Sequence, residues 1–222
     1  MYGNSWFIFV LPAMLLAFYS QHKIKSAYEK YSKINSGTDM TGAQVARTIL
    51  SRHGLEDVKI EETPGTLSDH YDPRSKVLRL SKSIYRGSSI ASMSVAAHEV
   101  GHALQHANGY FPLILRNNMA PIVNFASRFV WVFIILGIII SPFFVEVGII
   151  LFLAIVIFQV ITLPVEFNAS KRALSELEDG ISPSGKISLS KKMLNAAAFT
   201  YVASTLVAVT QLLRLLSLSN RR

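Results

Sequence analysis

The stretch Val95–His106, VAAHEVGHALQH, sets two histidines four residues apart with a glutamate directly after the first. On an α-helix, positions four apart differ by about 40° and one turn, so both imidazoles leave one face at a spacing that suits a single tetrahedral metal ion. Glu99 is placed to take a proton from a water that the metal acidifies and to pass it to a leaving amine. Gly101 lets another element approach the helix between the two histidines, at about 1 kcal/mol of helix propensity relative to Ala. These are the parts of a zinc hydrolase, and the flanking VAA and ALQ supply the helix that a four-letter match by itself does not guarantee. A metzincin needs glycine at position 105 and histidine at 108; the chain has Gln105 and Asn108, which rejects that class. His106 lies one turn beyond His102 but about 80° round from His98, and reads as a residue behind the ligands or at the helix end.

Around this polar helix the chain is apolar. Half of its 222 residues are hydrophobic and the mean hydropathy is +0.36, with the apolar residues clumped in runs that read as a membrane protein. The formal net charge is +8. Lys and Arg sit mainly beside the apolar runs and no nucleic-acid motif occurs, so the expected partner is a lipid bilayer and not nucleic acid. With no cysteine in the sequence, a metal must be held by His, Asp or Glu.

Trp6 to Tyr19 is an apolar run of about fourteen residues with no basic side chain before it and QHKIK after it, which reads as an uncleaved N-terminal anchor over residues 1–19. Ile122 to Ile140 and Phe143 to Leu163 each hold about twenty residues, enough to cross ~30 Å of hydrocarbon, and Ser141-Pro142 between them makes a hairpin over 121–163. A further run, Ala196 to Leu216, carries Thr200, Tyr201, Ser204, Thr205, Thr210, Gln211 and Arg214. Its hydroxyls suit packing against other helices in the bilayer, or a helix buried in protein or only partly inserted; the segment 196–222 ends in a basic tail.

The polar block 20–120 is expected to hold the catalytic domain. TGAQVARTILSRHG starts with a Thr41 cap, aligns Val45, Ile49 and Leu50 and stops at Gly54, an amphipathic helix. DVKIEE, TLSDHYD and KVLRLS alternate apolar and polar residues between Pro64-Gly65 and Asp72-Pro73, which predicts a small antiparallel sheet. Either Leu67–Asp72 or Val77–Leu80 can be an exposed edge on which substrate adds as a strand, or the pair is a plain structural hairpin. Lys23, Lys25, Lys30 and Lys33 follow the anchor, and the hairpin turn offers only Glu146, so positive charge puts the block in the cytoplasm. The hairpin returns residues 164–195 to the same side. Arg221 and Arg222 resist this bias if the last run crosses.

A third metal ligand must come from downstream and return to that side. In Leu163-Pro-Val-Glu-Phe-Asn-Ala-Ser-Lys-Arg-Ala-Leu174, Glu166 stands where the second hairpin helix leaves the bilayer, and a carboxylate so close to apolar surroundings wants a cation. His22, His53 and His70 are weaker candidates, the first two reading as exposed.

VAAHEVGHALQH, DHYDPRSKVLRLS, VEFNASKRAL and LNAAAFTYVAS together resemble the YugP-type neutral zinc metallopeptidases of bacteria, in the expected order over most of the chain, and are more distantly similar to HtpX-type membrane proteases. The resemblance implies a mainly helical α+β integral membrane protein of a bacterial cell membrane, with a gluzincin-like zincin domain, a small antiparallel sheet and about four membrane-associated helices. It implies one Zn2+ per chain on His98, His102 and Glu166, with Glu99 as general base and acid, and a protein or peptide substrate. HtpX-type proteases carry an Asp four residues after the ligand Glu; Ser170 stands there instead. A ligand histidine still needs an acceptor for its other N–H, and Asn168, Ser170 or Asp72 can provide it. An oxyanion stabiliser beside the metal is expected, and spacing does not choose among His70, Tyr71 and Tyr201. The alternative to a peptidase is a metal-binding membrane scaffold or chaperone-like protein without turnover. A transporter is disfavoured because no run carries paired charges at its middle.

Overall fold

The computed structural model describes residues 5–219, in seven helices and three strands. Arg221 and Arg222, and the first residues of the expected anchor, lie outside this range. The chain forms two compact units: residues 5–21, 111–164 and 200–219 make one, and residues 22–110 and 165–199 the other.

In the first unit, α5 (Phe111–Ile139) and α6 (Pro142–Glu178) form the predicted hairpin, closed at Ile140-Ser141. The two helices pack tightly because Gly137 has no side chain: a methyl there would collide with Val145, standing 2.5 Å from its amide nitrogen. Val130 of α5, Phe152 and Val156 of α6 and Leu215 of α7 (Ile187–Ser219) are buried together. Ser204 of α7 donates to Oε1 of Gln159 on α6, whereas Thr210 and Ser217 bond back to carbonyls of their own helix. Ile138, Ile139, Ile140, Phe143 and Ile150 are instead well exposed. An apolar surface of that kind belongs against lipid.

Among the described residues, three helices are long and apolar enough to cross a membrane: α5, α6 and α7. The last run, left open by its hydroxyls, meets that criterion. α1 (Ser5–Ser32) holds the expected anchor and runs on through Ser20, Gln21, His22 and Lys23 without a break, and the side chains of residues 5–9, in its apolar stretch, lie outside the described ones. Three of the about four expected membrane-associated helices thus meet the criterion, and the expected anchor lies partly outside the described residues. α6 is the longest helix, 37 residues or ~55 Å, and passes from one unit to the other at Pro164.

The second unit has a continuous apolar core. α2 (Gly42–Arg52) begins at Thr41 with a capping box: Gln44 N–H donates to the Thr41 hydroxyl, and Thr41 N–H to the Gln44 side chain. Val45, Ile49 and Leu50 are fully buried, as their spacing predicts. After the short α3 (Lys82–Arg86), α4 (Ile90–Ala107) starts at Ser89, whose hydroxyl accepts from Ser92 N–H, and ends before Gly109, which adopts φ +60°. α4 is sheathed on nearly all sides, which makes it the centre of the unit.

The sheet corrects the sequence reading. Its order is β1 (Lys59–Thr63), β3 (Val77–Ser81), β2 (His70–Asp72); β2 pairs antiparallel with β3, but β1 pairs parallel with it. The expected all-antiparallel sheet is therefore mixed, because the link after Pro64-Gly65 carries the chain across to the far side of β3 before it turns back. β3 is central, with Val77, Leu78 and Leu80 buried, so Val77–Leu80 is not an edge; β2 is one.

Candidate metal centre

α4 presents His98 and His102 from one face, and Glu166 comes to them from α6, in the same unit. The two helices can approach because position 101 is glycine: a methyl there would stand 2.6 Å from the carbonyl oxygen of Ala169. Nε2 of His98 lies 3.3 Å from Oε2 of Glu166 and Nε2 of His102 lies 3.7 Å from the same oxygen, all three donors falling within 4.8 Å of one another. The imidazole rings are edge-on, with centroids 4.8 Å apart. Two ligand atoms at ~2.1 Å from a tetrahedral zinc stand about 3.4 Å apart, so the two contacts of Glu166 match that ion's spacing and the donor set matches its chemistry. Glu166 and His102 are buried and His98 is partly open.

The far nitrogens of both rings are engaged. Nδ1 of His98 is 3.2 Å from the Ser170 hydroxyl, and Nδ1 of His102 is 3.0 Å from Oε1 of Gln105. Of the three acceptors expected from the sequence, Ser170 meets one of the two histidine rings, that of His98. Asn168 stands one bond further back, its Oδ1 accepting from Nε2 of Gln105 and from Nε of Arg172. Asp72 serves a turn, accepting from Arg74 N–H and the Ser75 hydroxyl, and does not hold either ring. Gln105 had no place in the sequence reading except to reject metzincins. Its spacing of three from His102, on the same helix face, was the available signal.

Glu99 is buried beside His98. Burial pushes its carboxyl up to about 7; the nearby charges of Glu166 and Asp69 push the same way, while His98 and a hydrogen bond from the Tyr71 backbone N–H pull it down. β2 therefore touches the centre through the Tyr71 amide. Asp69, just before β2, is also raised by burial, partly offset by hydrogen bonds from the amide and hydroxyl of Ser81.

The Tyr71 side chain turns away to His106, its hydroxyl 2.9 Å from Nδ1, and both line an open pocket with Leu55, Val58, Ala103 and Ala107. Burial, with the charges of Asp57 and Asp72, raises the phenol to about 12, so Tyr71 keeps its proton. His70 is exposed and donates from Nδ1 to the Ser68 carbonyl. Tyr201 belongs to the other unit. His22 is exposed, and His53 is exposed and bound to Glu176 at 2.7 Å.

The comparisons point the same way. The family described as "Putative neutral zinc metallopeptidase" matches residues 6–220. The chain is 49% identical over 211 residues to the "Putative membrane protease YugP" of Bacillus subtilis strain 168, a match covering 94% of each protein. No solved structure matches the chain at a significant level.

Proposed function

The chain belongs to that neutral zinc metallopeptidase family, and from this premise we propose that it is a membrane-embedded zinc peptidase in which His98, His102 and Glu166 hold the metal and Glu99 is the general base and acid. The observation that carries the reading is the convergence of two imidazole nitrogens and one carboxylate oxygen within 4.8 Å, beside a buried carboxyl raised to about 7.

Zinc bound there would acidify water and polarise a scissile carbonyl. The chain's own residues do the rest. The ring nitrogens fix two ligand directions, the Glu166 carboxylate adds charge compensation, and Ser170 and Gln105 orient the rings. Glu99, held near neutrality and tied to the Tyr71 amide, takes the proton from the attacking water and returns it to the amine that leaves. The edge strand β2 is where an extended peptide would enter. The arrangement of a helix-borne histidine pair, a downstream glutamate and an intervening hairpin is gluzincin-like in its order. The lysines after α1's apolar stretch support a cytoplasmic position for this unit at a bacterial cell membrane.

The test is zinc per chain and casein cleavage for the detergent-purified wild type and Glu166→Gln. About one zinc that falls in the variant, with cleavage lost, supports the reading. Unchanged zinc removes Glu166 from the site, and zinc without any cleavage favours the scaffold alternative.

A further inference from the structure

Behind the candidate metal centre runs a chain of hydrogen bonds that crosses from α4 to α6, buried at Gln105 and partly buried at Asn168 and Arg172. Nε of Arg172 donates to Oδ1 of Asn168 (2.8 Å), one helical turn earlier. Nε2 of Gln105 donates to the same Oδ1 (3.0 Å) and to the backbone carbonyl of Val165 (2.7 Å). Its Oε1 then faces Nδ1 of His102 at 3.0 Å, and Gln105 is fully buried.

The direction of every bond in this chain is determined. A guanidinium only donates, so the Asn168 atom it meets is the oxygen. A backbone carbonyl only accepts, so the Gln105 atom between Val165 and Asn168 is the nitrogen, with both of its hydrogens used. The other end of the amide is an oxygen that can only accept. His102 must meet it with Nδ1–H, so that the neutral ring keeps its lone pair on Nε2, the nitrogen facing Glu166 and the metal position. Turning the Gln105 amide round would set its oxygen against two acceptors and its nitrogen against the ring, leaving buried groups unsatisfied.

We propose that Gln105 is the positioning residue of the metal centre, selecting the metal-binding tautomer of His102, and that Asn168 and Arg172 hold Gln105 in the orientation that does so. The proposal rests on the metal-site reading above and extends it. A general expectation for residues that orient ligand histidines is a 10–100-fold loss of metal affinity on removal.

The experiment measures two quantities in detergent-solubilised full-length protein: zinc affinity by chelator competition, and the His102 tautomer from ring 15N shifts in the zinc-free protein. Gln105→Met keeps the volume and removes the amide; zinc affinity should fall 10–100-fold and the shifts should report a mixture of tautomers. Asn168→Asp keeps an acceptor for Arg172 and Gln105 and should match the wild type in both readouts, whereas Asn168→Leu should weaken zinc and mix the tautomers. Wild-type affinity with a single Nδ1–H tautomer in Gln105→Met overturns the proposal. So does like behaviour of Asn168→Asp and Asn168→Leu, which decides the matter even if Gln105→Met does not fold. A wild type that binds no zinc removes the metal-site reading itself, a result visible separately from the tautomer measurement.

Discussion

Gly101 and Ala169 are in backbone contact: a methyl built on Gly101 would stand 2.6 Å from the Ala169 carbonyl oxygen and 3.1 Å from its α-carbon. This approach lets α6 bring Glu166 to the two histidines of α4. In an open helix Gly→Ala stabilises by about 1 kcal/mol. Here Gly101→Ala must push two backbones apart, and overpacking of that kind costs about 1–3 kcal/mol. The expected outcome is a lower thermal midpoint together with weaker zinc binding, since the displaced helix carries Glu166, the proposed third ligand. A midpoint raised by the substitution, with zinc intact, would show that α6 lies further away.

Glu99→Gln separates the peptidase from the scaffold. The amide is nearly isosteric and can still accept from the Tyr71 N–H, but it cannot take a proton. Zinc content should stay near one per chain and casein cleavage should drop by roughly 10²–10⁴-fold, the range for a general base. Cleavage within a factor of a few of wild type would assign proton transfer to another group.

The same carboxyl makes the metal-free protein pH-sensitive. Folding raises Glu99 from its ordinary 4.5 to about 7 by burial. Between those values the folded protein keeps a proton that the unfolded chain releases, so this stability is fully present below about pH 4.5 and is lost as pH rises through about 7. In the presence of chelator, Glu99→Gln should therefore be more stable than wild type above pH 7, by on the order of 3 kcal/mol, with the gap closing near pH 4.5. Thermal midpoints at pH 4.5, 6 and 8 check it; a gap that does not change with pH would refute the shift. In the zinc-loaded protein the metal's charge favours the carboxylate, so, on the proposed peptidase reading, the acid limb of kcat/KM should fall below 7.

What could be read from the sequence followed the range of the interactions involved. The Thr41 cap, the Val45, Ile49 and Leu50 face and the His98, Glu99 and His102 spacing are set within one or two helical turns, and each has its expected place in the structure. Glu166, which the structure brings within 4.8 Å of both histidines, stands out in the sequence because a carboxylate beside an apolar run has few reasons to exist. The parallel pairing of β1 with β3 has no local signal, because it depends on where the 64–69 link leads the chain. Gln105 was missed for a similar reason: its two acceptors, Val165 and Asn168, lie 60 and 63 residues away. The amide of Tyr71 was invisible because any residue supplies one.

The lysines at 23, 25, 30 and 33 follow an apolar stretch with no basic residue before it, and the turn of the α5–α6 hairpin carries none. Positive charge is retained in the cytoplasm, and a hairpin returns the chain to the side it left. Residues on either side of the hairpin in sequence should thus share one compartment, and its turn should face the other. The chain has no cysteine, so single replacements can be read without background. Ser51 and Ser184 are exposed, and Ser141 closes the hairpin. In intact cells a membrane-impermeant thiol reagent should label Ser141→Cys and spare Ser51→Cys and Ser184→Cys, which should react only after permeabilisation. The reverse pattern would place the metal centre outside the cytoplasm. Labelling of Ser51→Cys and Ser184→Cys from opposite sides would break the hairpin reading, since His98 and Glu166 could not then share a compartment.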